Sequence, residues 1–113
     1  MERMLSESEL ERKIEVLKKK LVSVGEMYPG SVSMQYNICG NPTCKCKDKE
    51  NPEKHGPYSN LNFTFNGKSR TKFLRKGLAK KFARYTTNYK KFKDYTKQLI
   101  ECNMELINLR SKQ

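Results

Sequence analysis

The first part of the chain has apolar residues at helical spacing. Ser6-Glu7-Ser8-Glu9 has the pattern of a capping box, in which two side chains bond the backbone at the start of a helix. The apolar residues that follow are spaced four and three residues apart: Leu10, Ile14, Leu17, Leu21 and Val24. This spacing predicts an amphipathic helix over residues 6–24, with a narrow apolar stripe that suits packing along one partner helix.

The central part of the chain alternates between apolar and polar residues, as half-buried strands do. Residues 31–39 alternate without interruption and predict a first strand that leads directly to Cys39. A second strand is predicted from Tyr58 to Phe65 and a third from Lys68 to Leu74. Because Asn66-Gly67 between them is a strong hairpin signal, we expect a small three-stranded antiparallel sheet.

The register of this hairpin decides which side chains share a face. A two-residue loop would place Leu61, Phe63 and Phe65 on the same face as Lys68, Arg70 and Lys72. A three-residue loop would pair residue 63 with 69 and 61 with 71, with Leu61, Phe63 and Phe73 inward and Asn62, Thr64 and the cations outward. We favour the three-residue loop, because a shift of one residue would place cations in the core.

The last part of the chain is helical in pattern from residue 78 to 110. Apolar residues form a stripe close to a heptad repeat: Leu78, Phe82, Tyr85, Tyr89, Phe92, Leu99 and Leu106. Beyond Phe92 the apolar surface broadens, as in a coiled coil with more than one partner, so we expect a homodimer through this long helix. The alternative is a monomer whose long helix packs on its own sheet and first helix.

Together these patterns predict an α+β fold in a single domain of residues 1–113. Its parts are an N-terminal helix over 6–24, a β-hairpin region over 31–74 and a long C-terminal helix over 78–110. With 32% of its residues charged, the chain can bury only a modest core. A metal that staples the β-hairpin region would therefore add substantially to the stability of the fold.

Four residues of the β-hairpin region are candidate metal ligands: Cys39, Cys44, Cys46 and the only histidine, His55. Three thiolates and one imidazole are the ligands of a closed Cys₃His structural zinc site, and residues 45–57 have the polar composition of a loop that closes it. Inert thiols, a disulfide from Cys39, or a catalytic Cys–His pair are the alternatives. The charged N-terminus argues against export and so against a disulfide, and a nucleophilic cysteine gains nothing from two more thiols. Cys102 is expected in the apolar core.

The positive charge is concentrated in one part of the sequence. The chain has a net charge of +12, and residues 68–97 hold twelve cations against Asp94 alone, a net charge of +11. Such a block attracts polyanions, and its excess of Lys over Arg favours contact with phosphates over reading of bases. The candidate nucleic-acid contacts are Lys68, Arg70, Lys72, Arg75, Lys76, Lys80, Lys81, Arg84 and Lys91. The alternative is a solvated lysine-rich surface.

The chain resembles a family of small bacterial, archaeal and phage proteins described only as a domain of unknown function. The resemblance rests on Cys39-Gly40-x-x-x-Cys44-x-Cys46 and His55-Gly56-Pro57-Tyr58, followed by the basic hairpin and the long helix, and runs from about Pro29 to about Leu106. It implies a prokaryotic or phage source and supports the four candidate ligands as one unit. Members resemble cargo of mobile elements, which implies a DNA-binding accessory protein or an inhibitor of a host nucleoprotein complex.

An enzyme is not expected, because the sequence has no glycine-rich phosphate loop, no Ser–His–Asp set and no open metal position. No run of eighteen apolar residues occurs, so we expect a cytoplasmic protein without a membrane partner. Two hypotheses follow. The first is a zinc-stabilised protein that binds DNA or RNA through its basic arm. The second is a protein-interaction module that competes with nucleic acid at the binding site of another protein.

Overall fold

The computed structural model describes residues 5–37, 43–48 and 55–111. In chain order the elements are helix α1 (Glu7–Ser23), strand β1 (Ser31–Asn37), a short 3₁₀ helix (Lys45–Lys47), strand β2 (His55–Phe65), strand β3 (Lys68–Leu74) and helix α2 (Leu78–Ser111). The predicted α+β fold is confirmed: an N-terminal helix, a three-stranded antiparallel sheet and a long C-terminal helix. The predicted ligand Cys39 lies outside the described residues.

The chain forms two compact units. The helical unit is Met1–Met27 with Thr87–Gln113, and the sheet unit is Tyr28–Thr86. Helix α2 contributes its first residues to the sheet unit and the remainder to the helical unit.

The helical unit is an antiparallel pair of helices. Ser6 caps α1 by accepting a hydrogen bond from the backbone N–H of Glu9, as the capping box predicts. Leu10, Ile14 and Leu17 of α1 are buried together with Cys102 and Leu106 of α2, which confirms the expectation that Cys102 is a core residue. At one end, Arg110 of α2 donates hydrogen bonds of 2.6 Å and 2.7 Å to Glu7 and Glu11 of α1.

The sheet unit has the strand order β1-β2-β3, with both pairs antiparallel. Phe65 pairs with Lys68 and Phe63 with Arg70, so the hairpin has a two-residue loop, and the three-residue register favoured from the sequence is wrong. The physical reason lies in the turn, where both Asn66 (φ 52°) and Gly67 (φ 76°) adopt positive φ. This is a type I′ turn, whose twist matches the twist of the two strands.

The cations are tolerated on this face because only part of it is buried. Leu61 and Leu74 are buried, whereas Lys68, Arg70 and Lys72 stay exposed. The ammonium of Lys72 lies 5.4 Å from the centre of the Phe82 ring, a distance at which a cation is attracted to an aromatic face. Phe73, which the three-residue register would have placed inward, is exposed on the opposite face.

Four rings connect the sheet to the first turns of α2; we call them the aromatic cluster. Tyr28 contacts Phe63 of β2 and Phe82 of α2 edge to face, with ring centres 5.3 Å and 5.4 Å apart. Tyr85 contacts Phe82 in the same way at 5.5 Å, and its carbonyl oxygen accepts a hydrogen bond of 3.1 Å from the backbone N–H of Tyr28. Edge-to-face pairs add stabilisation beyond the area that they bury, so this cluster fixes the start of α2 on the sheet.

Three apolar side chains of the helical unit, Ile100, Met104 and Ile107, remain exposed on α2. They lie one helical turn apart and would be available to a second copy of the chain. The homodimer stays a prediction.

We expect Leu10→Ala to lower the free energy of unfolding by about 2–5 kcal/mol, because Leu10 is only 1% exposed and its loss leaves a cavity between α1 and α2. Val16→Ala on the same helix is the control. Val16 is 51% exposed, so its effect should stay within about 0.5 kcal/mol. Urea unfolding followed by helical circular dichroism measures both. Equal effects would contradict the burial of the Leu10 stripe.

Candidate nucleic-acid interface and metal ligands

Eight of the nine predicted nucleic-acid contacts belong to the sheet unit, and we call these eight the basic cluster: Lys68, Arg70, Lys72, Arg75, Lys76, Lys80, Lys81 and Arg84. All eight are exposed. The ninth, Lys91, is exposed on the part of α2 that belongs to the helical unit.

Strand β3 positions the first three members of the basic cluster. Lys68, Arg70 and Lys72 occupy alternate positions, so they project from the same face of the sheet. Alternate residues of a strand lie about 6.8 Å apart, which gives a row of three evenly spaced cations.

The turn after β3 and the first turns of α2 position the other members. Arg75 and Lys76 lie in the turn, where the carbonyl oxygen of Arg75 accepts a hydrogen bond of 3.0 Å from the N–H of Leu78. Lys80, Lys81 and Arg84 fall within an arc of about 100° around the helix. Phe82 on the same turns packs against Tyr28 within the aromatic cluster, and this orientation leaves the three cations exposed to solvent.

The sequence segment that carries the basic cluster has no carboxylate of its own. Residues 68–84 hold eight cations and no acidic residue. Among the described residues, the salt bridges are those of Lys18 with Glu15 and of Arg110 with Glu7 and Glu11, and none involves the basic cluster. Exposed cations that no nearby carboxylate offsets make the local electrostatic potential positive and attract anionic ligands.

Arg110 of the helical unit shows the contrast. Its guanidinium donates to two carboxylates, and these contacts, first the hydrogen bond to Glu7 and then the one to Glu11, raise the pKa of Arg110 above its ordinary value. The charge of Arg110 is therefore offset within the protein, whereas the members of the basic cluster form no salt bridge with any described residue.

Three of the four predicted metal ligands lie on described segments of the sheet unit. Cys44 is half-buried at the start of the 3₁₀ helix, where its carbonyl oxygen accepts a hydrogen bond of 3.0 Å from the N–H of Lys47, and Cys46 lies within that helix. His55 is the first residue of β2, and its backbone pairs with Asn37 at the end of β1. Cys39 follows Asn37 by two residues in the sequence.

This strand pairing has a consequence for the metal prediction. The candidate ligands His55 and Cys39 are sixteen residues apart in the sequence. The pairing nevertheless brings the backbone of His55 beside Asn37, which precedes Cys39 by two residues. The described residues contain no group of three or more potential metal ligands, and the complete set of four lies partly outside them. The zinc site stays a prediction.

Gly56, which follows the candidate ligand His55, occupies a position where any side chain would be strained. Its φ is +130°, and a Cβ atom built on it would lie 2.7 Å from the carbonyl oxygen of Gln35 and 3.3 Å from the Cα of Tyr36. The pairing of β1 with β2 is irregular between Gln35 and Asn37, next to this close approach. The glycine therefore serves the junction of the two strands where His55 enters the sheet.

Sequence reasoning missed a second surface, on the side of the sheet opposite to the β3 cations; we call it the neutral face. Its ten positions carry no charge: Ser31, Ser33, Gln35, Tyr58, Asn60, Asn62, Thr64, Ser69, Thr71 and Phe73. The signal for it was present in β3, which alternates cations with Ser69, Thr71 and Phe73, but the wrong register mixed the two sets of side chains.

Hydrogen bonds between side chains connect the three strands across the neutral face. Asn60 donates to Gln35 at 3.0 Å, and Asn62 donates to Ser33 at 3.1 Å. On the other side of β2, Thr71 donates to the side-chain oxygen of Asn62 at 2.8 Å. The hydroxyl oxygens of Thr64 and Ser69 lie 2.7 Å apart.

Two further features lie on the neutral face. Near the hairpin turn is a depression of about 510 Å³, lined by Gly30, Asn62, Phe63, Thr64, Ser69, Arg70 and Thr71. Farther along the strands, the rings of Tyr58 and Phe73 lie 6.3 Å apart at an angle of 50°. We call the first feature the polar depression and the second the aromatic pair.

None of the helices in the described part of the chain is both long and apolar enough to cross a membrane.

A family model described as a domain of unknown function, DUF6788, matches residues 7–84. The match starts at α1 and ends within the first turns of α2, so it begins earlier and ends earlier than the resemblance identified from the sequence. It includes the four candidate metal ligands and the whole basic cluster. No curated protein and no solved structure matches the chain.

We expect Gly56→Ala to lower the free energy of unfolding by roughly 1–3 kcal/mol, because alanine is strained at this φ and its methyl group would meet the Gln35 carbonyl. The control is Gly25→Ala, whose methyl group would meet only the side-chain nitrogen of Asn88, at 3.3 Å. Its effect should stay below about 1 kcal/mol. Denaturant unfolding measures both variants. A Gly56→Ala variant as stable as the parent would refute the close approach of the two strands.

Proposed function

Because the chain belongs to the DUF6788 family, whose description names no activity, we propose from its own residues that it is a small nucleic-acid-binding protein. It contacts the phosphate backbone of DNA or RNA through the basic cluster. The observation that carries this proposal is the set of eight exposed cations in residues 68–84 with no carboxylate among them.

The scaffold under these cations supports the proposal. Three of them project from one strand, and the aromatic cluster fixes the helix that carries three more. Cations held on a rigid framework bind phosphates with less loss of side-chain and backbone freedom than cations on a disordered tail. Positioned cations give affinity that is independent of sequence and strongly dependent on salt.

The composition of the basic cluster indicates contact with phosphates in preference to bases. Five of its eight members are lysines, which act as point charges towards phosphate. The bidentate fork that reads guanine belongs to arginine, and the cluster offers Arg70, Arg75 and Arg84 for such contacts.

A structural zinc ion held by Cys39, Cys44, Cys46 and His55 is the second part of the proposal. The pairing of His55 with Asn37 supports it, as does the position of Cys46 within one short helix of the same unit and of Cys44 directly before that helix. Such a site contributes on the order of 10 kcal/mol or more to folding, which is comparable to the whole stability of a small domain. Zinc would therefore be a staple and not a reactant.

A second candidate function follows from the same charges. A basic surface that forms no salt bridge with any described residue also fits an acidic protein surface, so the chain could act as an inhibitor at the nucleic-acid site of a host nucleoprotein complex. This role would suit a phage or mobile-element protein in the cytoplasm of its host. Salt separates the two functions, because phosphate contacts weaken far more steeply with salt than a packed protein interface does.

We expect the triple charge reversal Lys80→Glu, Lys81→Glu and Arg84→Glu to weaken binding to mixed-sequence DNA and RNA. If each cation contacts one phosphate, the slope of log affinity against log salt should fall by about 3 for duplex DNA. Fluorescence anisotropy over a salt series measures both quantities, and circular dichroism checks that the fold is retained.

The matched control reverses Arg12, Lys13 and Lys19, three exposed cations of α1 in the helical unit. It changes the net charge by the same amount but leaves the basic cluster intact. Equal losses in both triple variants would mean that net charge alone drives binding. Unchanged binding in the first variant would rule out this contact surface.

We expect one zinc ion per chain, and we expect Cys44→Ser to lose the metal and the fold of the sheet unit together, because three ligands no longer close the site. Mass spectrometry under native conditions gives the metal content. Cys102→Ala, a change in the core of the helical unit, should keep the zinc. A Cys44→Ser variant that stays folded and zinc-loaded would remove Cys44 from the ligand set, and metal-free parent protein would refute the site.

A further inference from the structure

We propose that the neutral face binds unpaired bases, so that the nucleic acid bound by this protein is single-stranded. This inference rests on the proposed function and deepens it, because the basic cluster alone does not distinguish a single strand from a duplex. The argument starts from the separation of charge across β3.

Strand β3 has two chemically different faces. One carries Lys68, Arg70 and Lys72, and the other carries Ser69, Thr71 and Phe73. A single-stranded nucleic acid has the same division, because its backbone is anionic while its bases are uncharged, planar and rich in hydrogen-bonding groups. A duplex hides the faces of its bases in the stack and presents mainly phosphate to a protein surface.

The position of β3 makes both faces available to one ligand. In the described sheet β3 is an edge strand, since the order is β1-β2-β3. A nucleic-acid strand that runs along this edge is within reach of the cations on one side and of the neutral face on the other. Alternate cations about 6.8 Å apart provide one contact for each of several successive phosphates of an extended strand.

The aromatic pair supplies surfaces on which bases stack. Phe73 is 61% exposed, although apolar rings are usually buried, and it lies against the half-buried Tyr58. Exposed aromatic side chains on a sheet are the usual platform for unpaired bases, and each stacked base contributes independently of its identity.

The polar depression supplies hydrogen bonds to base edges. Its volume of about 510 Å³ is within the range of small-molecule sites and exceeds the size of one base. The amide of Asn62 and the hydroxyls of Thr71, Thr64 and Ser69 line it as donors and acceptors. Phe63 and Arg70 complete the lining, although their side chains project from the opposite face of the sheet.

The test compares a fluorescent single strand with its own duplex, using the full-length protein and the variant Phe73→Ala. We expect the parent protein to prefer the single strand. Loss of one stacked base should weaken single-strand binding by roughly 5- to 150-fold and leave duplex binding unchanged. The salt slope should not change, because no phosphate contact is lost.

The control is Phe65→Ala on the same hairpin. Phe65 is 63% exposed, close to the value for Phe73, but it lies on the face of the cations, so its loss should leave single-strand binding unchanged. Asn62→Ala is a second variant of the neutral face, and it should weaken single-strand binding with the same unchanged salt slope.

The outcomes separate this inference from the proposed function. Binding to duplex and single strand alike, with Phe73→Ala and Asn62→Ala both silent, would overturn the role of the neutral face and leave phosphate contact by the basic cluster intact. Equal losses for Phe73→Ala and Phe65→Ala would also overturn it. No binding to either ligand at low salt would overturn the proposed function itself.

Discussion

The edge-to-face contacts of Tyr28 are the interaction on which the sheet unit depends. The ring of Tyr28 lies between Phe63 of β2 and Phe82 of α2, and its backbone N–H bonds the carbonyl of Tyr85. These contacts fix the first turns of α2 to the sheet, and a helix gains its stability mainly from such tertiary packing. The contact between Tyr28 and Phe82 also sets the rotation of α2 about its axis. This rotation directs Lys80, Lys81 and Arg84 to solvent.

The elements of the fold could be predicted from the sequence because each has a strong local signal. The capping box and the stripe from Leu10 define α1, and Asn66-Gly67 between alternating segments defines the hairpin. The burial of Cys102 also followed from its position on an apolar stripe. Local signals of this kind arise within one or two helical turns or one strand pair, which is why they are readable without the tertiary structure.

The hairpin register could not be predicted, because it depended on a balance that the sequence does not show. Keeping cations away from apolar residues favoured a three-residue loop, whereas the twist of the type I′ turn favoured two. The two-residue loop costs little in burial of charge, because Lys72 extends beside the Phe82 ring and remains exposed. The neutral face was missed for the same reason, since its members come from three strands and share a face only in the observed register.

The four predicted metal ligands could be recognised from their spacing in the sequence, but their geometry depends on residues beyond the described segments.

The edge position of β3 in the described sheet has a consequence for solubility. An edge strand presents unpaired backbone groups to which another chain could add as a further strand, and natural proteins commonly guard such edges with charge. The cations at alternate positions of β3 provide that protection, because two such strands placed side by side would repel each other. A bound polyanion that neutralises Lys68, Arg70 and Lys72 removes this repulsion, but it also covers the edge of the sheet. Resistance to aggregation and ligand binding therefore depend on the same three side chains.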